Sequence, residues 1–234
     1  MNAKEFGNKV LKGLIWFLHS YIWLFIIFLA TDIITKQCVA RNMMPDKDSI
    51  TLIKSWDANK PFLAITYVIN TNAAFSFGIG DATANRIFYS IVAGLGFCLI
   101  VAFFVWKYKK LHGVVKASLM LIATGALGNM IDRVFYSPSF LHSLENGVVD
   151  WIDFAVIWPF TFNIADSCVV IGVFMMIVFL IVDEVKATRA KRQAEIEENG
   201  GKVLSKEEVS RMENEGSADE DIDEEEDMHG VDGE

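Results

Sequence analysis

Three pairs or triads of polar residues stand at helical spacing in otherwise apolar surroundings. Asp32 and Lys36 are i,i+4. Asn129, Asp132 and Arg133 form a second group, and Asn163 and Asp166 a third. Residues three or four apart share a helix face, so each group can point one way. Between the second and third groups lies Gly147-Val148-Val149-Asp150-Trp151-Ile152-Asp153-Phe154, with two more carboxylates. Carboxylates in pairs are the usual equipment for acid–base hydrolysis without a metal. Other catalytic kits are absent: there is no HExxH and no GxxxxGK[ST]. Cys38, Cys98 and Cys168 are far apart with no CxxC spacing, and His19, His112, His142 and His229 fall in four different regions. They suggest neither a disulfide framework nor a metal cluster.

The elements that position these groups are read from hydropathy. A bilayer core needs about 20 apolar residues per helix. Four stretches qualify, at 14–34, 87–106, 114–134 and 162–182, and they predict a four-helix membrane bundle. Lysines at 4, 9 and 12, at 107, 109, 110 and 116, and the cations Lys186, Arg189, Lys191 and Arg192 fall on one side of such a chain. The positive-inside rule makes that side cytoplasmic, with both termini inside. Segments 35–86 and 135–161 are then outside, and the polar groups gather at the outer ends of their spans. The first apolar run lacks a small-residue cleavage site at Phe28-Leu29-Ala30, so it reads as a span and not as a removed signal peptide.

The outer segment 35–86 is not plain linker. Ser49–Ile53 and Phe62–Ile69 are rich in β-branched and aromatic residues and predict short strands in a small surface sheet. The net charge of -9 belongs to the far end of the chain. From Asp183 onward stand about 19 acidic and 7 basic residues, which leaves the first 182 weakly positive. A short basic helix is predicted over 183–198, followed by a disordered acidic tail.

Each polar group has a plainer reading. Asp32 with Lys36 can be an interfacial ion pair of little worth, and Asp132 with Arg133 a helix-end pair. Asp166 can be a first-turn partner of a helix dipole, and Asp150 and Asp153 solvated loop residues. Gly125 and Gly128 read as close-packing positions. The convergence of three spans, each bringing a carboxylate to one membrane depth, is what the plainer readings leave unexplained.

At this point the residues resemble a family, the lipoprotein signal peptidases (signal peptidase II). Phe162-Asn163-Ile164-Ala165-Asp166-Ser167 is similar to its Phe-Asn-x-Ala-Asp-Ser motif. Residues Gly125 to Arg133 are similar to Gly-Ala-x-Gly-Asn-x-x-Asp-Arg, and Val148-Val149-Asp150-Trp151-Ile152 to Val-Val-Asp-Phe-Ile. Asn70-Thr71-Asn72-Ala73-Ala74-Phe75-Ser76 resembles Asn-x-Gly-Ala-Ala-Phe-Ser, and Asp32 to Lys36 resembles Asp-x-x-x-Lys. The five motifs stand in the family's order and cover residues 14–182.

The resemblance implies a four-helix membrane bundle with a small extracytoplasmic β-cradle and a short surface helix. It implies a metal-independent aspartyl endopeptidase with no cofactor, whose catalytic pair is Asp150 and Asp166, with Asp132 as the second choice of partner. Asn70, Asn72, Asn129, Arg133 and Asn163 would shape the site, with Asp32, Lys36 and Asp132 in support. The implied substrates are prolipoproteins whose cysteine carries a diacylglyceryl group, cut just before that cysteine. Membrane lipid is the other expected partner, no nucleic acid is expected, and a monomer suffices. Phe75, Phe77 and Trp151 can line the substrate's entrance or form an aromatic belt. Two departures stand out. Asn72 occupies a usual Gly position, and 134–146 is longer than the family's usual link. The rival readings are a small proton-coupled carrier using the same intramembrane carboxylates and a membrane scaffold working through its tail.

Overall fold

The computed structural model describes residues 3–57, 60–71, 80–135 and 147–198. Asn72, Phe75, Phe77, His142, most of the 134–146 insertion and the tail beyond Glu198 lie outside the described residues. The chain divides into two compact units, Met1–Phe179 and Leu180–Glu234. The first holds all the motifs. The described part of the second is the C-terminal portion of one helix.

Five helices and three strands follow in the order α1 (Ala3–Ser20), α2 (Ile22–Asn42), β1 (Ser49–Ile53), β2 (Leu63–Asn70), α3 (Ala82–Lys107), α4 (Gly113–Phe135), β3 (Val148–Asp153) and α5 (Ile164–Glu198). Four of the helices, α2, α3, α4 and α5, are long and apolar enough to cross a membrane. Their outward faces are apolar, with Leu99 and Val105 of α3 and Val170 and Phe174 of α5 more than 60% exposed. Hydrocarbon covers such a surface at no cost, whereas water does not. α4 is the most buried of the four spans.

The first span differs from the expected 14–34. The backbone turns left-handed at Tyr21 (φ 62°, ψ 7°), which ends α1 and starts α2. A non-glycine residue in that conformation interrupts the helical hydrogen-bond ladder. The span is therefore Ile22–Asn42, and Asp32 and Lys36 lie inside it, not at its end. The basic stretch predicted as a separate helix at 183–198 is instead continuous with the fourth span, in the 35-residue α5. The start of α3 is fixed by Asp81, whose side chain accepts the Ala84 N–H at 2.8 Å. A short polar turn then leads into α4.

The sheet is antiparallel in the order β1-β2-β3. β1 and β2 are the two strands expected from their β-branched runs. β3 is the Val-Val-Asp segment, so Asp150 and Asp153 stand on a strand and not in a solvated loop. Val148 and Val149 are buried, and Val149 packs with Tyr67 and Val39. Burial of this short apolar run, with β2 as hydrogen-bonding partner, makes it a strand. The register pairs Val68 with Asp150 and Asn70 with Val148, with an irregularity between Ile65 and Val68. On its other edge β3 meets Phe162, whose N–H donates to the Ile152 carbonyl at 3.0 Å. Phe162 immediately precedes the start of α5. The strand is thus tied on one side to Asn70 and on the other to the helix that carries Asp166.

Candidate active site

The local geometry begins at the N-terminus of α5. The side-chain oxygen of Asn163 accepts the Asp166 N–H at 2.9 Å, and an Asp166 carboxylate oxygen accepts the Asn163 N–H at 3.2 Å. This reciprocal pairing is a capping box, with Asn and Asp in place of the commoner Ser or Thr and Glu. It satisfies two helix-end N–H groups and leaves Asp166 no freedom to swing away. The Asn163 side-chain amide then donates to Asp150 Oδ1 at 2.7 Å. One residue therefore contacts both carboxylates.

The other oxygens are also engaged. Asn70 Nδ2 donates to Asp150 Oδ2 at 3.0 Å. The β2–β3 register permits this, because Asn70 lies diagonal to Asp150. Asn129 Nδ2 donates to Asp166 Oδ1 at 2.7 Å, while Asn129 Oδ1 accepts from Asn163 Nδ2 at 3.1 Å and from Lys36 Nζ at 3.0 Å. Three asparagines thus knit two aspartates together.

Behind this layer is a buried charge cluster. Lys36 Nζ lies 2.7 Å from Asp32 Oδ2 and 2.9 Å from Asp132 Oδ2, and all three side chains are at most 1% exposed. The plainer reading of Asp32 and Lys36 as an interfacial ion pair of little worth does not fit this burial. Each carboxylate also takes a backbone N–H. Asp32 Oδ1 accepts from Ala165 at 2.9 Å, and Asp132 Oδ2 from Val149 at 3.2 Å. Ala165 and Val149 are the neighbours in sequence of Asp166 and Asp150. A buried ion cluster on two helices, α2 and α4, thus grips the backbone next to both carboxylates of the front layer.

Arg133 is nearly buried, donates to the Asn129 carbonyl at 3.3 Å and sits with its guanidinium carbon 5.6 Å from the centroid of the Tyr89 ring. It is electrostatically coupled to Asp166, Asp132 and Asp150. Gly128 of α4 lies where the layers meet, since a Cβ there would lie 2.7 Å from Asp32 Oδ2 and 3.0 Å from the Ala165 Cβ. Glycine at this point lets α5 and the ion cluster share one face of α4.

The electrostatics of Asp150 follow from this enclosure. Burial, and next the charge of Asp166, push its carboxyl up from the ordinary value to about 7; the amides of Asn70 and Asn163 and the charge of Lys36 oppose the rise. Tyr67, buried beneath the sheet and facing Asp132, is pushed up to about 12, mainly by desolvation. Asp153 is raised only through partial burial and takes no part in the asparagine network.

Of the residues singled out from sequence, Asp32, Lys36, Asn70, Asn129, Asp132, Arg133, Asp150, Asn163 and Asp166 come together in this one cluster. Asn72 lies outside the described residues. Sequence reasoning missed the part played by Arg86, which donates to the carbonyls of Arg133 and Val134 and so caps the C-terminus of α4. A cation at the start of one helix gives no local signal that it will serve the end of the next. The backbone N–H groups of Val149 and Ala165 were equally invisible, because any residue supplies one.

Comparison with known proteins agrees with this arrangement. The family described as Signal peptidase (SPase) II matches residues 24–182. The chain belongs to the signal peptidase II family. The lipoprotein signal peptidase of Desulfitobacterium hafniense (strain DSM 10664 / DCB-2) is 30% identical over 178 residues, which cover 76% of this chain and 99% of that protein. That of Clostridioides difficile (strain 630) is 32% identical over 167 residues, covering 71% and 98%. A solved structure described as a bacterial membrane enzyme, obtained by the in meso method at 2.3 Å resolution, aligns with a TM-score of 0.57 at 31% identity. It covers 72% of this chain and 91% of that one. As a signal peptidase II relative, the chain is a multi-pass bacterial membrane protein and a peptidase, and its four spans and three-stranded sheet are those the resemblance implied.

Proposed function

We propose that the chain removes the signal peptide from diacylglyceryl-modified prolipoproteins, cutting before the lipidated cysteine, with Asp150 and Asp166 as its catalytic pair. The observation that carries this reading is the double contact of Asn163, which hydrogen-bonds to both carboxylates. Two carboxylates held so close in a desolvated site do not both ionise cheaply, so the pair keeps one proton. The raised carboxyl of Asp150 fits such a pair.

In the proposed reaction the ionised member takes a proton from water as the water oxygen bonds to the peptide carbonyl carbon. The protonated member donates to the carbonyl oxygen. The tetrahedral intermediate collapses with cleavage of the C–N bond: one of its hydroxyls returns a proton to the pair, and the nitrogen leaves with a proton from the pair. The two acids titrate jointly, so base and acid are roles of the pair. Asp132, weighed as an alternative partner, has its Oδ2 committed to Lys36 and the Val149 N–H, which favours support over catalysis.

The layout of the chain in the bilayer belongs to the same proposal. The basic residues between α3 and α4 and beyond Val182 face the cytoplasm by the positive-inside rule, and so do both termini. The carboxylates then lie at the extracytoplasmic face, where a substrate held in lipid by its acyl chains presents its scissile bond. Residues 14–182 form the peptidase region in this reading, flanked by segments on the cytoplasmic side of the bilayer at 1–13 and 183–234.

The test is cleavage of a diacylglyceryl-modified prolipoprotein by the purified chain, followed by gel shift. Asp150→Asn and Asp166→Asn are each expected to abolish the shift while leaving the protein folded. Processing retained in either variant defeats the assignment. Loss of activity on adding a chelator also defeats it, because the mechanism uses no metal.

A further inference from the structure

Helix α1 precedes the stretch that the family matches and contributes nothing to the carboxylate cluster. It is also not among the helices apolar enough to span. Its sequence is amphipathic. Phe6, Val10, Leu14 and Leu18 recur every fourth residue and make one stripe, each more than half exposed. Glu5, Asn8, Lys9, Lys12 and His19 fall on the other side. Trp16 stands among these on the polar side and packs against Tyr108, with ring centroids 6.2 Å apart. The apolar stripe is therefore turned away from that contact with the protein.

The place where α1 ends fixes its depth. Tyr21, the left-handed residue between α1 and α2, packs on the cluster of Phe104, Leu119 and Met120 beside Tyr108 and Leu111. This is the α3–α4 turn, at the opposite end of α4 from Asp132. The turn has the composition of a bilayer boundary. Lys107 lies 3.7 Å from the Trp106 ring centroid, Lys116 lies 4.1 Å from that of Tyr108, and Lys109 and Lys110 stand between. Tryptophan and tyrosine with lysines mark the headgroup level. A helix that breaks from its span at that level, with one apolar stripe and a cationic back, has the form of an interfacial helix.

We propose that α1 lies in the headgroup layer, its Phe6–Leu18 stripe in the acyl boundary, as a docking element for anionic phospholipid. Charge complementarity selects the lipid. The helix carries three lysines against one glutamate, and the neighbouring turn adds four lysines. An anionic leaflet attracts such basic segments within a Debye length of its surface, and a zwitterionic one does not.

The test is hydrogen–deuterium exchange on the full chain, reconstituted in vesicles of phosphatidylcholine alone or of equal parts phosphatidylcholine and phosphatidylglycerol. Amides of α1 are expected to exchange roughly tenfold more slowly in the anionic vesicles. Molar salt and the double variant Lys9→Glu/Lys12→Glu should each erase that difference, while exchange in α4 and β3 stays unchanged. Leu14→Asp should speed α1 exchange in both bilayers. Equal protection of wild-type α1 in the two vesicles overturns the proposal, since the helix would then be held by protein or by apolar burial alone. That comparison needs no variant, so a misfolded substitution does not blunt it.

Discussion

Asn163 and Asp166 cap each other: the asparagine oxygen holds the Asp166 N–H at 2.9 Å, and the aspartate holds the Asn163 N–H at 3.2 Å. The same asparagine reaches Asp150 through its amide nitrogen. Helix capping and alignment of the acid pair are therefore two jobs of one side chain, and substitutions can separate them.

Asn163→Asp keeps an acceptor for the Asp166 N–H but loses the donor to Asp150 and adds a third carboxyl group beside the pair. Asn163→Ala loses both functions. The alanine variant should lose about 1 kcal/mol of stability, the usual worth of an N-cap. Both variants should lose roughly a hundredfold or more in single-turnover cleavage, since alignment of the pair fails in each. Thermal melting in detergent alongside the cleavage rate checks this. An aspartate variant with wild-type rate would mean that the Asn163–Asp150 bond is idle.

The raised carboxyl of Asp150 has consequences for pH. Its folded-state value, about 7, lies above the ordinary one, so the fold favours the protonated form. The stability this contributes is fully present below pH 4 or so and fades as pH rises through about 7. The proposed chemistry needs one proton on the pair, so kcat/KM should fall on the alkaline side with an apparent pKa near 7. The amide of Asn70 favours the ionised form from 3.0 Å. Asn70→Ala should therefore slow the reaction and move the alkaline limb upward. A limb that stays put or moves down would detach Asp150 from the profile.

The spans and two of the three strands were legible because their signals are local: apolar runs for α3, α4 and the spanning part of α5, and β-branched runs for β1 and β2. The start of the first span was not. Leu14 to Ser20 is apolar enough to join the following run, and only the left-handed backbone at Tyr21 separates them. β3 was hidden because a six-residue strand is made by its partner, and β2 lies some eighty residues earlier. Most of the polar cluster is legible from residue type and spacing, but Asn70 and the division into an acid pair and supporting charges come only through the family resemblance. Nothing in the order of Asp32, Asp132, Asp150 and Asp166 says which pair faces the asparagines and which grips Lys36. That depends on backbone N–H groups at 149 and 165, to which every sequence is blind.

The buried cluster should behave as a unit. Lys36→Met leaves Asp32 and Asp132 together without their shared cation, both at most 1% exposed. Breaking a buried pair by removing one partner costs about 3–5 kcal/mol. Removing all three charges, in Asp32→Asn/Lys36→Met/Asp132→Asn, should cost less than the single change. Melting temperatures of the two variants in the same detergent decide it. If the triple variant proves the less stable, the cluster is worth more than its parts and the desolvation argument fails.

Glycine positions give a last contrast, between packing and mere helix propensity. At Gly128 an added Cβ would meet Asp32 Oδ2 and the Ala165 Cβ, both within 3.0 Å, so Gly128→Ala must push α5 or the ion cluster away from α4. At Gly96, in the middle of α3, the same Cβ meets nothing within 4 Å. An alanine in an open helical position is worth up to about 1 kcal/mol over glycine. Gly96→Ala should therefore be neutral or slightly stabilising, with normal cleavage. Gly128→Ala should lower both melting temperature and rate, because Ala165 precedes Asp166 and moves with it. A Gly128→Ala enzyme that melts lower yet cuts at full rate would show that the ion cluster serves stability alone and does not hold the acid pair in place.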